Sequence, residues 1–373
     1  MTYSGFGLID CGKTGIRTLG TRKGTTVFET VPIDHSGIFP WWFASANLIK
    51  FSLSSMFFRV FLIISHHKWP IGAAFIVCRP SGFVLIHKFI TMKRFLTLII
   101  ALVCVSAWSM ADDLRVMSFN VRYDNPDDKS NNWQYRRDRV ADAINFYDAD
   151  IVGTQEVLRN QLDDLKLRLP AYKMVGVARE DGATKGEYAA LWYKPERFEL
   201  VDSGNFWLSA TPEEVGSLGW DGACVRIATW ARLRDRSTGR ELMALNTHLD
   251  HVGTVARREG VTLILERVAV MRGDLPVVVT GDFNSTPDSD VVAHITGKDV
   301  PGHLTDTRTA SSLTYGPSWT YHEFGNLPVS ERSLIDYVFI GGPLTARSYG
   351  VLAETNNGLW LSDHCPVLVN LIW

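Results

Sequence analysis

From Leu114 onward, apolar runs of strand length recur along the chain, and nearly every one ends in a small cluster of polar residues. The first, Leu-Arg-Val-Met-Ser-Phe-Asn over 114–120, alternates apolar and polar side chains, as a strand with one buried face does. A polar loop rich in Asn and Asp then reaches Asn132, and residues 135–146 carry Val140, Ala143 and Ile144 at helical spacing. Ile151-Val-Gly-Thr reads as the next strand. Further strands are predicted at 189–193, 229–233, 242–246, 276–280, 335–340 and 366–371. A helix is predicted over 255–271, with Val261, Ile264, Leu265 and Val268 facing inward. Strands interleaved with helices argue for an α/β class, and without an obvious linker or repeat residues 112–373 read as one domain.

The part ahead of that domain has a different composition. Between Asp34 and Asp112 there is no Asp or Glu, and residues 1–111 carry a net charge of about +8. Residues 112–373 hold about 27 Lys and Arg against about 37 Asp and Glu, a net charge of about −10. Starting at Met92, the segment MKRFLTLIIALVCVSAWSMADD has a basic start at Lys93 and Arg94, an apolar run and the small residues Ser109 and Ala111. That is the layout of a secretory signal peptide over 92–111, cut after Ala111, and it implies a secreted or periplasmic product. The apolar run falls short of the roughly 20 residues of a spanning helix, with a membrane anchor the competing reading. Because a signal peptide begins a chain, residues 1–91 read as upstream sequence outside the native product. The alternative is a genuine membrane-associated extension built on the apolar stretches 57–65 and 71–77. Two cysteines of the downstream part, Cys224 and Cys365, permit one disulfide, although spacing alone does not bring them together.

The polar clusters carry the chemistry. They are Ser118-Phe-Asn120, Thr154-Gln-Glu156, Asn246-Thr-His248, Gly281-Asp-Phe-Asn284, Ile335-Asp336-Tyr and Ser362-Asp-His364. A lone Asp or His at a strand end is usually a cap or a satisfied polar residue; six such clusters in series are not so explained. In this order they resemble the endonuclease/exonuclease/phosphatase superfamily, over essentially the whole of 114–373. The resemblance implies a four-layer α/β sandwich, two packed mixed β-sheets flanked by helices, with the site at one edge. It implies a metal-dependent phosphoric ester hydrolase in which Asn120, Glu156 and Asp363 serve the metal. Asp282 and Asn284 would orient or deprotonate the attacking water. His364, held by Asp336, would face the phosphate, with His248 as the second histidine, Glu187 as its carboxylate partner and Arg226 as a phosphate-side arginine.

The residue types fit that chemistry on independent grounds. Hydrolysis of a phosphoester needs an activated water and charge compensation on the phosphoryl oxygens. Hard oxygen ligands such as Glu156 and the Asn120 amide suit Mg²⁺, with Mn²⁺ as a substitute, and no Cys/His cluster has zinc spacing. An imidazole beside a carboxylate has its charged form favoured, as phosphate contact requires. Asp250 and His251, with Arg257, either shape a substrate pocket or stabilise their loop, and Trp220, Trp319, Tyr321 and His322 lie in loops able to wall a cleft, with core or rim packing the default for each aromatic. For a polynucleotide a basic surface is expected, and the acidic domain shows none beyond Arg136-Arg137 and Arg257-Arg258. A small or head-group phosphoester is therefore favoured over DNA or RNA. A non-catalytic binding protein on the same fold would be expected to lack a metal ligand or a histidine, and none is missing.

Overall fold

The computed structural model describes residues 113–356 and 358–373 and, ahead of them, only strand residues 30–31, 46–51, 59–65, 73–79 and 82–86. The chain divides into two compact units, Met1–Met110 and Ala111–Trp373. In the first, the five strands pair antiparallel in chain order. The signal peptide expected at 92–111, with its start at Met92, lies outside the described residues. Among the described residues no helix is long and apolar enough to cross a membrane.

In the second unit the alternating segment becomes β1 (Asp113–Asn120). Helix α1 (Trp133–Tyr147) follows; the Asn132 side chain accepts from the Gln134 amide at its start, and Asp148, at φ 53°, turns the chain out of it. Next come β2 (Ile151–Val157), α2 (Arg159–Arg168), β3 (Lys173–Val175), β4 (Tyr188–Tyr193), β5 (Phe198–Trp207), β6 (Ile227–Asp235) and β7 (Glu241–His248). Helix α3 (Thr254–Arg272) buries Val261, Ile264, Leu265 and Val268, the face its spacing predicts. Each such side chain contributes about 1.5–3 kcal/mol when fully buried. The chain ends through β8 (Val277–Asp282), α4 (Asp290–Thr296), β9 (Thr305–Asp306), β10 (Leu313–Tyr315), β11 (Asp336–Gly341), β12 (Thr345–Val351) and β13 (Val367–Ile372).

These strands make two mixed sheets. One runs β10-β12-β13-β1-β2-β4-β3 and the other β5-β6-β7-β8-β11-β9. Their inner faces close over a core that includes Val116, Ile151, Leu191, Ala244, Val278 and Val369. Helices α1 and α2 cover the outer face of the first sheet, around Trp133, Ile144 and Leu165. Helices α3 and α4 cover the second, around Ile264, Val292 and Phe283. The result is the expected four-layer α/β sandwich.

A polar bolt joins the sheets beneath their functional edge. Asn246 Oδ1 accepts from Gln155 Nε2 (2.7 Å) and Thr280 Oγ1 (3.0 Å), while its Nδ2 donates to the carbonyls of Thr154 (2.9 Å) and Ala190 (3.0 Å). Every group in that bolt is buried, so each requires the partner it has. Gly153 makes room for it, since a Cβ there would collide with Thr280 Oγ1 and Asn246 Oδ1.

Candidate active site

Strand direction brings the six polar clusters to one edge. Asn120, Glu156, His248 and Asp282 stand at or near the ends of β1, β2, β7 and β8. Strands β11 and β13 run antiparallel to β8 and β1, with Asp336 opposite Asp282 and Val367 opposite Ser118. The start of β11 and the turn before β13 therefore deliver Asp336 and Ser362-Asp363-His364 to the same place. Glu156 reaches the site through an irregularity in β2, where the register slips between Thr154 and Val157 and its own φ is 62°. A bulge of this kind re-aims a side chain, and the positive φ of a non-glycine residue is held there by the packing around it.

At the centre, Asn120 Nδ2 donates to Glu156 Oε1 (2.9 Å) and to Asp282 Oδ2 (3.0 Å). Its Oδ1 accepts from the Arg122 amide (3.0 Å), which fixes the orientation of the side-chain amide. Asn120, expected as a metal ligand, thus turns nitrogen rather than oxygen toward the carboxylates and ties them together. Burial pushes Asp282 up to about 7, with Asp336 adding to the shift, and burial also raises Asp363. Burial would raise Glu156 too, but His364, Asn120 and the Tyr123 amide hold it below its ordinary range. Atoms of Glu156, His248 and Asp282 lie within 4.8 Å of one another. The Glu156 and Asp282 carboxylates, bridged by the Asn120 amide, are hard oxygen donors that fit a divalent cation.

Their surroundings shift His364 and His248 in opposite directions. His364 Nδ1 lies 2.8 Å from Asp336 Oδ2, and its Nε2 faces Asn120 Nδ2 (3.5 Å) and Asp282 Oδ2 (3.8 Å). Burial opposes its charge, but Asp336 and then Asp282 override this and hold its pKa well above the usual histidine value. His248 is the reverse of what its carboxylate neighbour suggests. Burial, with Arg226 and Arg179 adding to it, drives its pKa well below the usual value. Asn284, at φ 46°, donates through Nδ2 to the Leu249 carbonyl (3.0 Å) and to His248 Nε2 (3.1 Å). The His248 proton is therefore on Nδ1, which faces Glu187 Oε2 at 3.8 Å.

Beside these groups lies a cavity of about 500 Å³, lined by Glu156, Glu187, Arg226, His248, His251, Asp282, Asn284, Tyr321, Asp363 and His364. It also takes in Cys224 and three residues that the sequence did not single out, Arg122, Tyr123 and Arg179. Arg179 donates to Glu187 Oε2 (2.6 Å), and Arg122 bonds Asp128 and faces Asp363 at 3.6 Å. Neither has a motif spacing that could have revealed it. The Tyr321 ring packs on His364 with centroids 5.0 Å apart.

Three residues weighed for the substrate pocket are not among those lining the cavity. Asp250 is off the cavity wall: its carboxylate accepts from the amides of Val252, Gly253 and Cys224, the loop-stabilising option. Trp220 sits in the turn closed by the Gly222 amide on the Gly219 carbonyl, outside the cavity lining. Trp319 packs against His322, Trp360 and Arg332 instead of walling a cleft. Cys224 and Cys365 are both free, so they form no disulfide.

A four-layer sandwich that gathers carboxylates, a hydrogen-bonded His–Asp pair and an asparagine bridge at one sheet edge is the scaffold of a metal-assisted phosphoric ester hydrolase. The chain belongs to the Endonuclease/Exonuclease/phosphatase family, whose sequence model matches residues 117–364. Members of the family are divalent-metal-dependent hydrolases of phosphoesters, nucleases and phosphatases among them. An endonuclease/exonuclease/phosphatase from Bacteroides vulgatus is 45% identical, with 69% of this chain and 98% of that one covered at a TM-score of 0.67. A mannosyl-6-phosphatase from Bacteroides thetaiotaomicron is 35% identical, with 70% of this chain and 100% of that one covered at a TM-score of 0.65. The CCR4-Not complex 3'-5'-exoribonuclease subunit Ccr4 of Mycosarcoma maydis is 24% identical over 280 residues, 60% of this chain and 42% of that protein. The chain spans about half the length of the curated relatives it matches.

Proposed function

We propose that residues 113–373 form a Mg²⁺-dependent phosphatase acting on a small phosphate ester, a sugar phosphate for preference, outside the cytoplasm. The observation that carries this is the cavity of about 500 Å³, whose lining includes Arg122, Arg179 and Arg226 beside Asp282, Asp363 and His364. Such a volume suits a compact ligand, whereas non-specific polynucleotide binding calls for a basic track that this acidic domain lacks. The likeness to a mannosyl-6-phosphatase supports the same substrate class.

In this reading Asp282 Oδ2 accepts a proton of the attacking water, held in place by Asn120 Nδ2 at 3.0 Å. His364, kept charged by Asp336, donates from Nε2 to a phosphoryl oxygen and offsets the charge that develops there. Asn284 fixes the neutral His248 ring alongside Asp282, whose Oδ2 lies 3.5 Å from His248 Nε2. Glu156 and Asp363 would hold the Mg²⁺, which supplies charge compensation to the phosphoryl group when bound. Export rests on the signal peptide at 92–111, and amino-terminal sequencing of the natural product should find Asp112 near its start.

The test is a Mg²⁺-dependent panel of p-nitrophenyl phosphate, mannose 6-phosphate, bis-p-nitrophenyl phosphate, plasmid DNA and single-stranded RNA. Phosphate release from the two monoesters should exceed nucleotide release from either polymer. Degradation of RNA or DNA at rates well above every small ester would overturn the proposal in favour of a nuclease.

A further inference from the structure

Asp336 and His364 meet across two sheets. Asp336 opens β11 in the second sheet, while His364 stands in the turn before β13 of the first. Their contact, 2.8 Å from Nδ1 to Oδ2, therefore depends on how the two chain segments are spaced at this edge. The polar bolt around Asn246 joins the sheets beneath the site but includes neither residue.

The spacing is set by Trp319-Thr-Tyr-His322, between β10 and β11. Tyr321 pairs antiparallel with Ser333 on one side and with His364 on the other, so the segment bridges the two strands' approaches. The Thr320 amide donates to the Ser333 carbonyl (2.8 Å), the Cys365 amide to the Thr320 carbonyl (2.8 Å) and the His322 amide to the Asp363 carbonyl (2.9 Å). The Thr320 hydroxyl oxygen accepts the amides of Ile335 (3.1 Å) and Asp336 (3.2 Å), which takes up both of its acceptor sites. Thr320 is fully buried, so no water replaces those bonds when the hydroxyl is removed. One residue thus holds the backbone of Asp336 by its side chain and the residue after His364 by its carbonyl.

The bridge is anchored from behind. His322 Nδ1 accepts from the Gly325 amide (2.9 Å), and its ring packs on that of Trp360 with centroids 4.2 Å apart. Three left-handed residues in a row, Glu323 (φ 50°), Phe324 (φ 53°) and Gly325 (φ 84°), turn the chain there. Such backbone persists only where its surroundings over-determine it, and it clusters beside functional groups that must not drift.

We propose that Thr320 is a positioning residue for hydrolysis, its hydroxyl and carbonyl setting the separation at which Asp336 meets His364. This rests on the roles given to Asp336 and His364 under the proposed function, whichever ester is cleaved. Valine has the shape of threonine but accepts no hydrogen bond, and serine keeps the acceptor without the methyl group.

The experiment is a double-mutant cycle of Thr320→Val and Asp336→Asn on the Mg²⁺-loaded protein, with whichever ester of the panel wild type cleaves fastest. Thr320→Val should lower kcat about tenfold with KM within about twofold, and Thr320→Ser should stay within about threefold of wild type. In the Asp336→Asn background the same change should cost less than about threefold, because no charge-assisted pair is left to misplace. A merely structural role gives the same factor in both backgrounds. Equal factors overturn the proposal, and so does a wild-type kcat in Thr320→Val. If Thr320→Val fails to fold, Thr320→Cys, whose sulfur is a weak acceptor, takes its place in the cycle. A crystal structure of the variant needs no activity: His364 Nδ1 and Asp336 Oδ2 should lie beyond about 3.2 Å, and a pair still at 2.8 Å overturns the proposal. A wild type inactive on every ester sinks the proposed function and leaves that distance to decide for or against Thr320.

Discussion

Arg136 shows how closely the stability of this domain and the shape of its site are linked. The side chain is fully buried, yet it faces no carboxylate at bonding distance. Instead Nη1 donates to the carbonyls of Val121 (2.7 Å) and Leu361 (2.8 Å), Nε to that of Asn131, and Nη2 to that of Arg122 (3.3 Å). Those carbonyls belong to the loop after β1, the turn before α1 and the residue preceding Ser362. One guanidinium thus pins the segments that carry Asn120 and Asp363, with Trp133 and Phe324 against its faces. Burial lowers its pKa to about 10, with Asp363 pulling the other way, so it stays charged at neutral pH. Arg136→Met keeps the apolar stem and leaves at least the Val121 and Leu361 carbonyls buried without a donor. At about 1–3 kcal/mol for each orphaned group, the expected loss is about 3–5 kcal/mol. For a domain of this size that lowers Tm by roughly 10 °C. Urea unfolding followed by circular dichroism measures it directly. Arg136→Lys, with three donors on a flexible stem, should recover less than half. An Arg136→Met protein within 1 kcal/mol of wild type would show that the carbonyls find other partners, and the pinning argument would fail.

Other outcomes follow from the same geometry. Asp336→Asn removes the charge-assisted bond to His364 and should lower kcat about 10- to 100-fold with the fold intact, whereas an unchanged kcat would remove Asp336 from the mechanism. Cys365 is buried and its thiol is pushed far up by burial, while Cys224 lies on the cavity wall. Iodoacetamide at pH 8 should therefore label Cys224 in the native protein and spare Cys365, and the opposite order contradicts the placement. Burial alone would raise Asp250, but the backbone amides of Gly253, Val252 and Cys224 pull it well below the usual carboxylate range. Its stabilisation is present above the unfolded carboxylate pKa of about 3.9 and is lost as pH falls through the depressed folded value. The stability gap between wild type and Asp250→Asn should shrink on acidification; a gap independent of pH would remove that explanation.

Much of the architecture is legible because the motif-bearing strands are buried on both faces and read as short apolar runs. β8 and β11 are of this kind, and the helix facing Val261 to Val268 shows its period plainly. β5 escapes such reading: most of its residues are at least partly exposed, so its sequence FELVDSGNFW keeps no alternation. Helix α2 buries only Gln161, Leu162 and Leu165, and its polar remainder resembles a loop. In the site, residues at strand ends are visible because their chemistry and spacing are local. Arg136, Arg179 and Arg122 are not, since what they do is set by partners from distant parts of the chain. The downward shift of His248 is not legible either, because burial and two nearby guanidiniums set it, a balance no motif encodes.

In the proposed function, the edge built by Asn120, Glu156, Asp282, Asp336, Asp363 and His364 hydrolyses a small phosphate ester with a divalent cation. The most direct measurement is phosphate release from p-nitrophenyl phosphate by wild-type protein and His364→Ala. Each is assayed with Mg²⁺, with EDTA and after Mg²⁺ is restored, with circular dichroism confirming that both are folded. Wild type should lose its activity in EDTA and regain it with Mg²⁺, and His364→Ala should be slower by at least 100-fold, about 2.7 kcal/mol of transition-state stabilisation. Turnover that survives EDTA, or a folded His364→Ala protein as fast as wild type, would contradict the account.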